Sequence, residues 1–120
     1  MKQIFILLAA TVLAVGCGNG YDSVNAQEFA EALENPDVQI IDTRTPNEFS
    51  EGHIPGAVNI DLGAEDFFRQ MDGLDKDRPI AVYCRGGRRS KIAAERFVRE
   101  GFKVTELDGG IITWEGEIEK

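Results

Sequence analysis

Four apolar residues, Ile80-Ala81-Val82-Tyr83, run straight into Cys84, and a helical pattern opens at Ser90. Between them stand Arg85, Gly86, Gly87, Arg88 and Arg89, with no acidic residue in the stretch. The order predicts a strand, a tight cationic loop and a helix. A sulfur at a strand end, facing cations and a helix N-terminus, makes an anion site. Any fold for this chain has to place a β–loop–α unit of this kind at its working edge.

The rest of the chain repeats the alternation. Asn25-Ala26-Gln27-Glu28 reads as a capping box, with Asn25 and Glu28 each able to satisfy an early backbone N–H. Ala26, Phe29, Ala30 and Leu33 then share one helical face, and Asn35-Pro36-Asp37 stops the helix. Val38 to Asp42 is short and β-branched, as an interior parallel strand is. Thr45-Pro46-Asn47-Glu48 opens a second, brief helix with proline at its first position. A strand is expected over Ala57–Ile60, and a helix over Glu65–Met71 with Phe67, Phe68 and Met71 as apolar contacts. Ser90 to Glu100 forms the longest helix, with Gly101 as its C-terminal cap, and Val104 to Leu107 the last strand. Ile111, Ile112 and Trp114 are expected to dock a final short helix on the core. Alternating strands and helices predict an α/β domain, with a largely parallel central sheet covered by helices on both faces. Ligands bind such sheets beyond the carboxyl ends of the strands, which is where Cys84 falls.

The 120 residues suffice for one domain. Residues 1–16 read as a signal peptide: Met1-Lys2-Gln3 is a short basic start, Ile4 to Val15 is almost wholly apolar, and Gly16-Cys17 follows. Ala14-Val15-Gly16-Cys17 resembles the lipobox of bacterial lipoproteins, although the usual leucine stands one place early, at Leu13. That resemblance implies lipidation of Cys17 as the mature N-terminus. Residues 17–23 then form a linker, and the chain is exported and anchored in the membrane through its lipid. Ordinary signal cleavage after Gly16 and a buried hydrophobic helix are the competing readings. Processing would leave 12 cationic against 21 acidic side chains, a net charge of −9. An acidic domain does not bind nucleic acid through a general basic surface. With Cys17 lipidated, Cys84 is left without a cysteine partner. There is no C-x-x-C pair, no zinc-type cluster and one histidine, so neither a metal nor a cofactor is expected.

Cations and a helix N-terminus favour the reactive, ionised form of a thiol. Arg85, Arg88 and Arg89 supply the cations, and Gly86 and Gly87 allow the backbone to fold inward so that N–H groups line an anion nest. His53, in the turn-like Glu51-Gly52-His53-Ile54-Pro55-Gly56, has no placed partner and reads as a histidine bonding a loop backbone. Attack of sulfur on sulfur needs no strong base.

Four blocks, in order, resemble the rhodanese-like domain family over residues 24–116. They are Ile40-Ile41-Asp42-Thr43-Arg44-Thr45-Pro46-Asn47-Glu48-Phe49, Glu51-Gly52-His53-Ile54-Pro55-Gly56-Ala57-Val58-Asn59-Ile60, Tyr83 to Ser90, and Leu107-Asp108-Gly109-Gly110-Ile111 with Trp114. The resemblance implies a rhodanese-like domain over residues 24–120 acting as a sulfurtransferase. Cys84 would take a sulfane sulfur from a small anion such as thiosulfate and pass it to cyanide or a thiol. The amides of Arg85, Gly86, Gly87, Arg88 and Arg89 would hold the persulfide or the donor, while Asp42, Arg44, Glu48 and His53 would be scaffolding. Two alternatives stand beside it. A cysteine-dependent phosphatase or arsenate reductase of related fold needs an arginine at position 90, which is Ser90. A non-catalytic sulfur-sensing or binding module would leave Cys84 incidental.

Overall fold

The computed structural model describes residues 20–120. The signal peptide expected over residues 1–16 and the lipidation site at Cys17 lie outside the described residues. The elements run β1 (Asp22–Val24), α1 (Ala26–Ala32), β2 (Gln39–Asp42), α2 (Pro46–Ser50), β3 (Val58–Asn59), α3 (Phe67–Asp72), β4 (Ile80–Tyr83), α4 (Arg88–Arg99), β5 (Val104–Leu107) and a 3₁₀ turn at Ile111–Thr113. Both capping boxes form, on Asn25 with Glu28 and on Thr45 with Glu48.

The five strands lie in the order β1-β5-β4-β2-β3, and every pairing is parallel. β4 is therefore the middle strand, flanked by β5 and β2. It is buried along its whole length, as a strand covered on both faces must be. Its side chains alternate between two cores. Ile80 and Val82 join Ile41, Phe67, Met71, Ala93, Ala94, Phe97 and Val104 on the face covered by α3 and α4. Ala81 and Tyr83 join Phe29, Ile54 and Leu107 on the face covered by α1, with Ile111 and Trp114 at its edge. Phe29, Phe67 and Phe97 are almost wholly buried, each contributing about 1.5–3 kcal/mol of hydrophobic stabilisation.

Several local expectations are corrected. The linker expected over 17–23 ends earlier, because Tyr21 packs into the core and Asp22–Val24 pairs with β5. The strand is short and polar, so its apolar signal is weak. It exists because the edge of β5 offers unpaired backbone groups. Ala30, Phe68 and Ile112 are exposed. Phe68 lies under the Arg96 guanidinium, 5.1 Å from the ring centroid, instead of entering the core. α4 begins at Arg88, two residues before the expected start, since Gly87 (φ +102°) turns the chain directly into the helix.

Candidate active site

Cys84 follows the last residue of β4, at the carboxyl edge of the central strand, and its side chain is buried. Its sulfur sits inside its own loop. The Gly87 N–H donates to Sγ at 3.1 Å, and Sγ lies 3.4 Å from the Ser90 Oγ. The turn after β5 clamps the loop from outside: Ile111 N–H donates to the Cys84 carbonyl at 2.9 Å and Ile112 N–H to the Arg85 carbonyl at 3.3 Å. Gly87 is packed so close to Gly109 that an added Cβ would come within 2.9 Å of its nitrogen. Gly86, by contrast, has open space around it and no positive φ. Of the two glycines, Gly87 alone makes the inward fold. The Asp108-Gly109-Gly110 turn is thus the outer wall of the cysteine loop, joined to it only by the fold.

The three arginines separate. Arg85 and Arg88 are exposed and form no ion pair among the described residues. Arg89 reaches back to α2 and grips Glu48 with two bonds, of 2.7 and 3.0 Å. The Arg89 hydrogen bond holds the Glu48 carboxyl at about 2, against its ordinary 4.5. The same bond holds the Arg89 guanidinium above its usual range. The purely cationic setting expected around the sulfur is corrected accordingly: one of three cations is neutralised from a distant helix.

That pair makes a stability prediction with a definite sign. A carboxyl depressed in the fold contributes above its unfolded value near 4.5, and the contribution is lost as pH falls through about 2. Glu48→Gln keeps the capping box but not the charge. It is expected to cost about 1 kcal/mol at pH 7 after solvent screening, read from urea midpoints. The deficit should persist at pH 3.5 and close toward pH 2; a deficit that closes by pH 4.5 contradicts the ion pair.

Two further groups brace the neighbouring strand end. Asp42, fully buried, receives Arg44 through Nη2 at 2.7 Å and Nε at 3.1 Å. Burial lowers the Arg44 pKa, but the Asp42 bond and charge outweigh it and raise the net value. Arg44 also donates to the Gly52 carbonyl, and Asn59 Nδ2 to the Asp42 and Arg44 carbonyls. The Thr43 N–H and hydroxyl both donate to the Tyr83 carbonyl, one residue before the cysteine. Burial, with Asp42 next, pushes the Tyr83 phenol far up, and its oxygen accepts from the Ile54 N–H. His53 sits flat on Phe49, with Nδ1 2.9 Å from the Phe49 carbonyl, so the backbone it bonds is that of α2 and not the loop backbone expected.

Comparison with known proteins now adds to this geometry. Residues 25–117 match the family described as rhodanese-like domain. The chain belongs to the rhodanese-like domain family. It is 40% identical over 95 residues to YtwF of Bacillus subtilis, provisionally named a sulfurtransferase, covering 78% of this chain and 90% of that one. It is also 40% identical over 99 residues to the tRNA uridine(34) hydroxylase of Streptococcus uberis, but spans only 29% of that longer protein. Among solved structures, a rhodanese-related protein from Thermoplasma volcanium superposes with a TM-score of 0.73 at 27% identity, over 82% of this chain and 98% of the other. The expected rhodanese-like α/β fold is therefore the observed one.

One residue at the site has no place in the sequence reading. Glu106 of β5 is fully buried and lies behind the cysteine loop. It accepts from Ser90 Oγ and Ser23 Oγ, each at 2.6 Å, and from Lys91 Nζ at 3.3 Å. The sign that could have found it is a lone acid in a rhodanese-like interior strand, in step with Val104 and so facing α4.

Proposed function

We propose that this chain is a sulfurtransferase that carries a sulfane sulfur as a persulfide on Cys84. The observation that carries the reading is the position of Sγ: at the carboxyl edge of the middle strand, inside a loop of six residues, with a backbone N–H on the sulfur. In the first half-reaction the Cys84 thiolate attacks the outer sulfur of a small anionic donor such as thiosulfate. The new S–S bond forms, the donor's S–S bond breaks, and sulfite leaves with the electron pair. In the second, cyanide or a thiolate takes the outer sulfur and the Cys84 thiolate leaves. The step requires no cofactor. Gly87 N–H is aimed at the sulfur, and the first amides of α4, at Arg88 and Arg89, lack helical acceptors. With Arg85 and Gly86 these complete the proposed binding loop. Exposed Arg85 and Arg88 suit a role in gathering an anion from solvent.

Ser90 supports sulfur over phosphate as cargo. A phosphatase loop of this type would need a guanidinium there, and the residue is a buried hydroxyl against Sγ. The acidic balance of the chain, −8 overall, argues against a general basic surface for nucleic acid, and the proposed partners are small sulfur compounds and thiols gathered by the local arginines. Incubation with thiosulfate is expected to add one sulfur atom to the wild-type protein by intact mass, removable by cyanide. An unmodified mass across a panel of sulfane donors, with an aryl phosphate turned over instead, would favour the phosphatase.

The leader sequence supports an exported protein held by a lipid on Cys17 at the outer or periplasmic face of a bacterial envelope. Expressed in a bacterium, the full chain is expected to partition into detergent and to carry acyl chains on an N-terminal Cys17. A water-soluble product without them overturns the anchor.

A further inference from the structure

We propose that the rim of the cysteine loop and the outer face of α4 dock a protein acceptor, whose thiol projects on an acidic segment with apolar side chains beside the cysteine. The inference rests on Cys84 being the sulfur carrier and adds the class of molecule that takes the sulfur away. A small donor anion needs the loop amides and the cations. It gains nothing from apolar side chains at the mouth, and the mouth has them.

Ile112 is 65% exposed, although its own N–H is bonded to the Arg85 carbonyl at the loop. Ile92 stands one helical turn beyond Arg88 on α4 and is 42% exposed. Arg96 follows one further turn along the same face, and its guanidinium covers the exposed Phe68 of α3. Single exposed apolar residues are ordinary. These three form a row with arginines between them: Arg85 beside Ile112, Arg88 before Ile92, and Arg96 over Phe68. Arginine among apolar and aromatic side chains, with acids depleted, is the composition of surfaces that bind proteins.

Charge selects the partner. The chain carries 21 acidic side chains against 13 basic ones, yet α4 holds a single acid, Glu95, among Arg88, Arg89, Lys91, Arg96 and Arg99. Beside the loop, Glu48 is held by Arg89 at 2.7 Å and Asp108 by Lys91 at 2.8 Å. Arg85, Arg88 and Arg96 form no ion pair among the described residues. A negatively charged partner complements them. A second copy of the chain does not, because a two-fold contact sets this face against itself, arginine to arginine. Cys84 is 1% exposed, so a thiol flush with a partner's surface stays out of reach. The acceptor cysteine has to project, on a loop or a chain end.

The transfer balances without an oxidant or reductant. The acceptor thiol gives its proton to water and enters as the thiolate. Its sulfur bonds the outer sulfur of the Cys84 persulfide, the bond between that sulfur and Cys84 Sγ breaks, and the electron pair returns to Sγ. The acceptor leaves as a persulfide.

The probes are three synthetic peptides with a central cysteine: one flanked by leucine and glutamate, one with lysine in place of glutamate, and one with serine in place of leucine. The full chain is loaded with thiosulfate, freed of excess donor and mixed with each. Mass spectrometry follows the sulfur from protein to peptide, with rates corrected for each peptide's thiolate fraction. The leucine–glutamate peptide is expected to take sulfur about ten-fold faster than the lysine peptide at low salt, with the gap shrinking in about 1 M salt. Ile92→Ser is expected to slow that peptide about five-fold. Loading by thiosulfate and discharge to cyanide should be unchanged, and the serine peptide should stay within about two-fold of its wild-type rate. Equal rates for the glutamate and lysine peptides overturn the proposal. So does an Ile92→Ser loss as large with cyanide or the serine peptide, which would assign Ile92 to the shape of the loop. It is equally overturned if Ile92→Ser weakens sedimentation with phosphatidylglycerol vesicles and leaves the peptides alone, which would make this face a membrane contact. A wild type that gains no sulfur from thiosulfate fails the persulfide reading before any peptide is added, whereas one that loads and does not discriminate fails the docking face alone.

Discussion

Cys84→Ser is expected to reduce sulfur transfer from thiosulfate to cyanide to background, a loss on the order of 10³-fold or more. The same substitution should abolish the added sulfur in the intact mass. The fold should survive it. The introduced serine is small enough for the buried position, and its hydroxyl can accept from Gly87 N–H and bond Ser90, the two contacts of the sulfur. Circular dichroism and the urea midpoint are therefore expected to stay near wild type, within about 1 kcal/mol. A folded Cys84→Ser variant with full transfer activity would falsify the persulfide mechanism. A variant that is inactive because it is unfolded would instead show a collapsed urea transition, so the two outcomes are separable.

Gly110→Ala is expected to be the most damaging single change outside the cysteine. Gly110 has φ +73° and ψ −173°, a region open to glycine almost alone. An added Cβ would also run into the carbonyl group of Arg85 and the nitrogen of Gly86. Neither is a flexible side-chain tip; both are backbone of the loop that holds the sulfur. Strain and displacement together should cost about 3 kcal/mol or more, and the surviving folded protein should load sulfur at least about ten-fold more slowly, since misplacing a reacting group is expensive. Gly101→Ala is the control. Its φ is +97°, yet nothing lies within 4 Å of its Cβ position, so only the cost of a left-handed backbone for alanine applies, about 1 kcal/mol. Equal losses in the two variants, read by urea titration, would show that the contact with the cysteine loop carries no weight.

The scaffold was legible because its signals are local. Capping boxes at Asn25 and Thr45 and the apolar run of Ile80 to Tyr83 each act within a few residues and formed where expected, while α1 ends at Ala32, ahead of the stop read at Asn35-Pro36. Misreadings fell where a local pattern competed with a distant neighbour. Phe68 has the composition of a core residue, but α3 is two turns long and turns Phe67 and Met71 inward, leaving Phe68 to Arg96. β1 has almost no apolar signal and owes its strand to β5. The loop arginines looked alike in sequence, and only the return of α2 across the loop distinguishes Arg89, paired with Glu48, from Arg85 and Arg88.

The sequence by itself determined the order of strands and helices from α1 onward, the cysteine at the end of a strand, and the hydroxyl at position 90 where a phosphatase loop would need arginine. These are properties of residue type and short spacing. Tertiary structure decided what surrounds the sulfur. Glu48 and Arg89 are 41 residues apart, Ser23 and Glu106 are 83 apart, and Glu106 meets Ser90 across the interface of β5 and α4. A parallel sheet returns each strand to the same edge, so side chains remote in sequence converge on one carboxyl end. The electrostatic setting of Cys84 is the sum of those convergences, and no period in the chain encodes it.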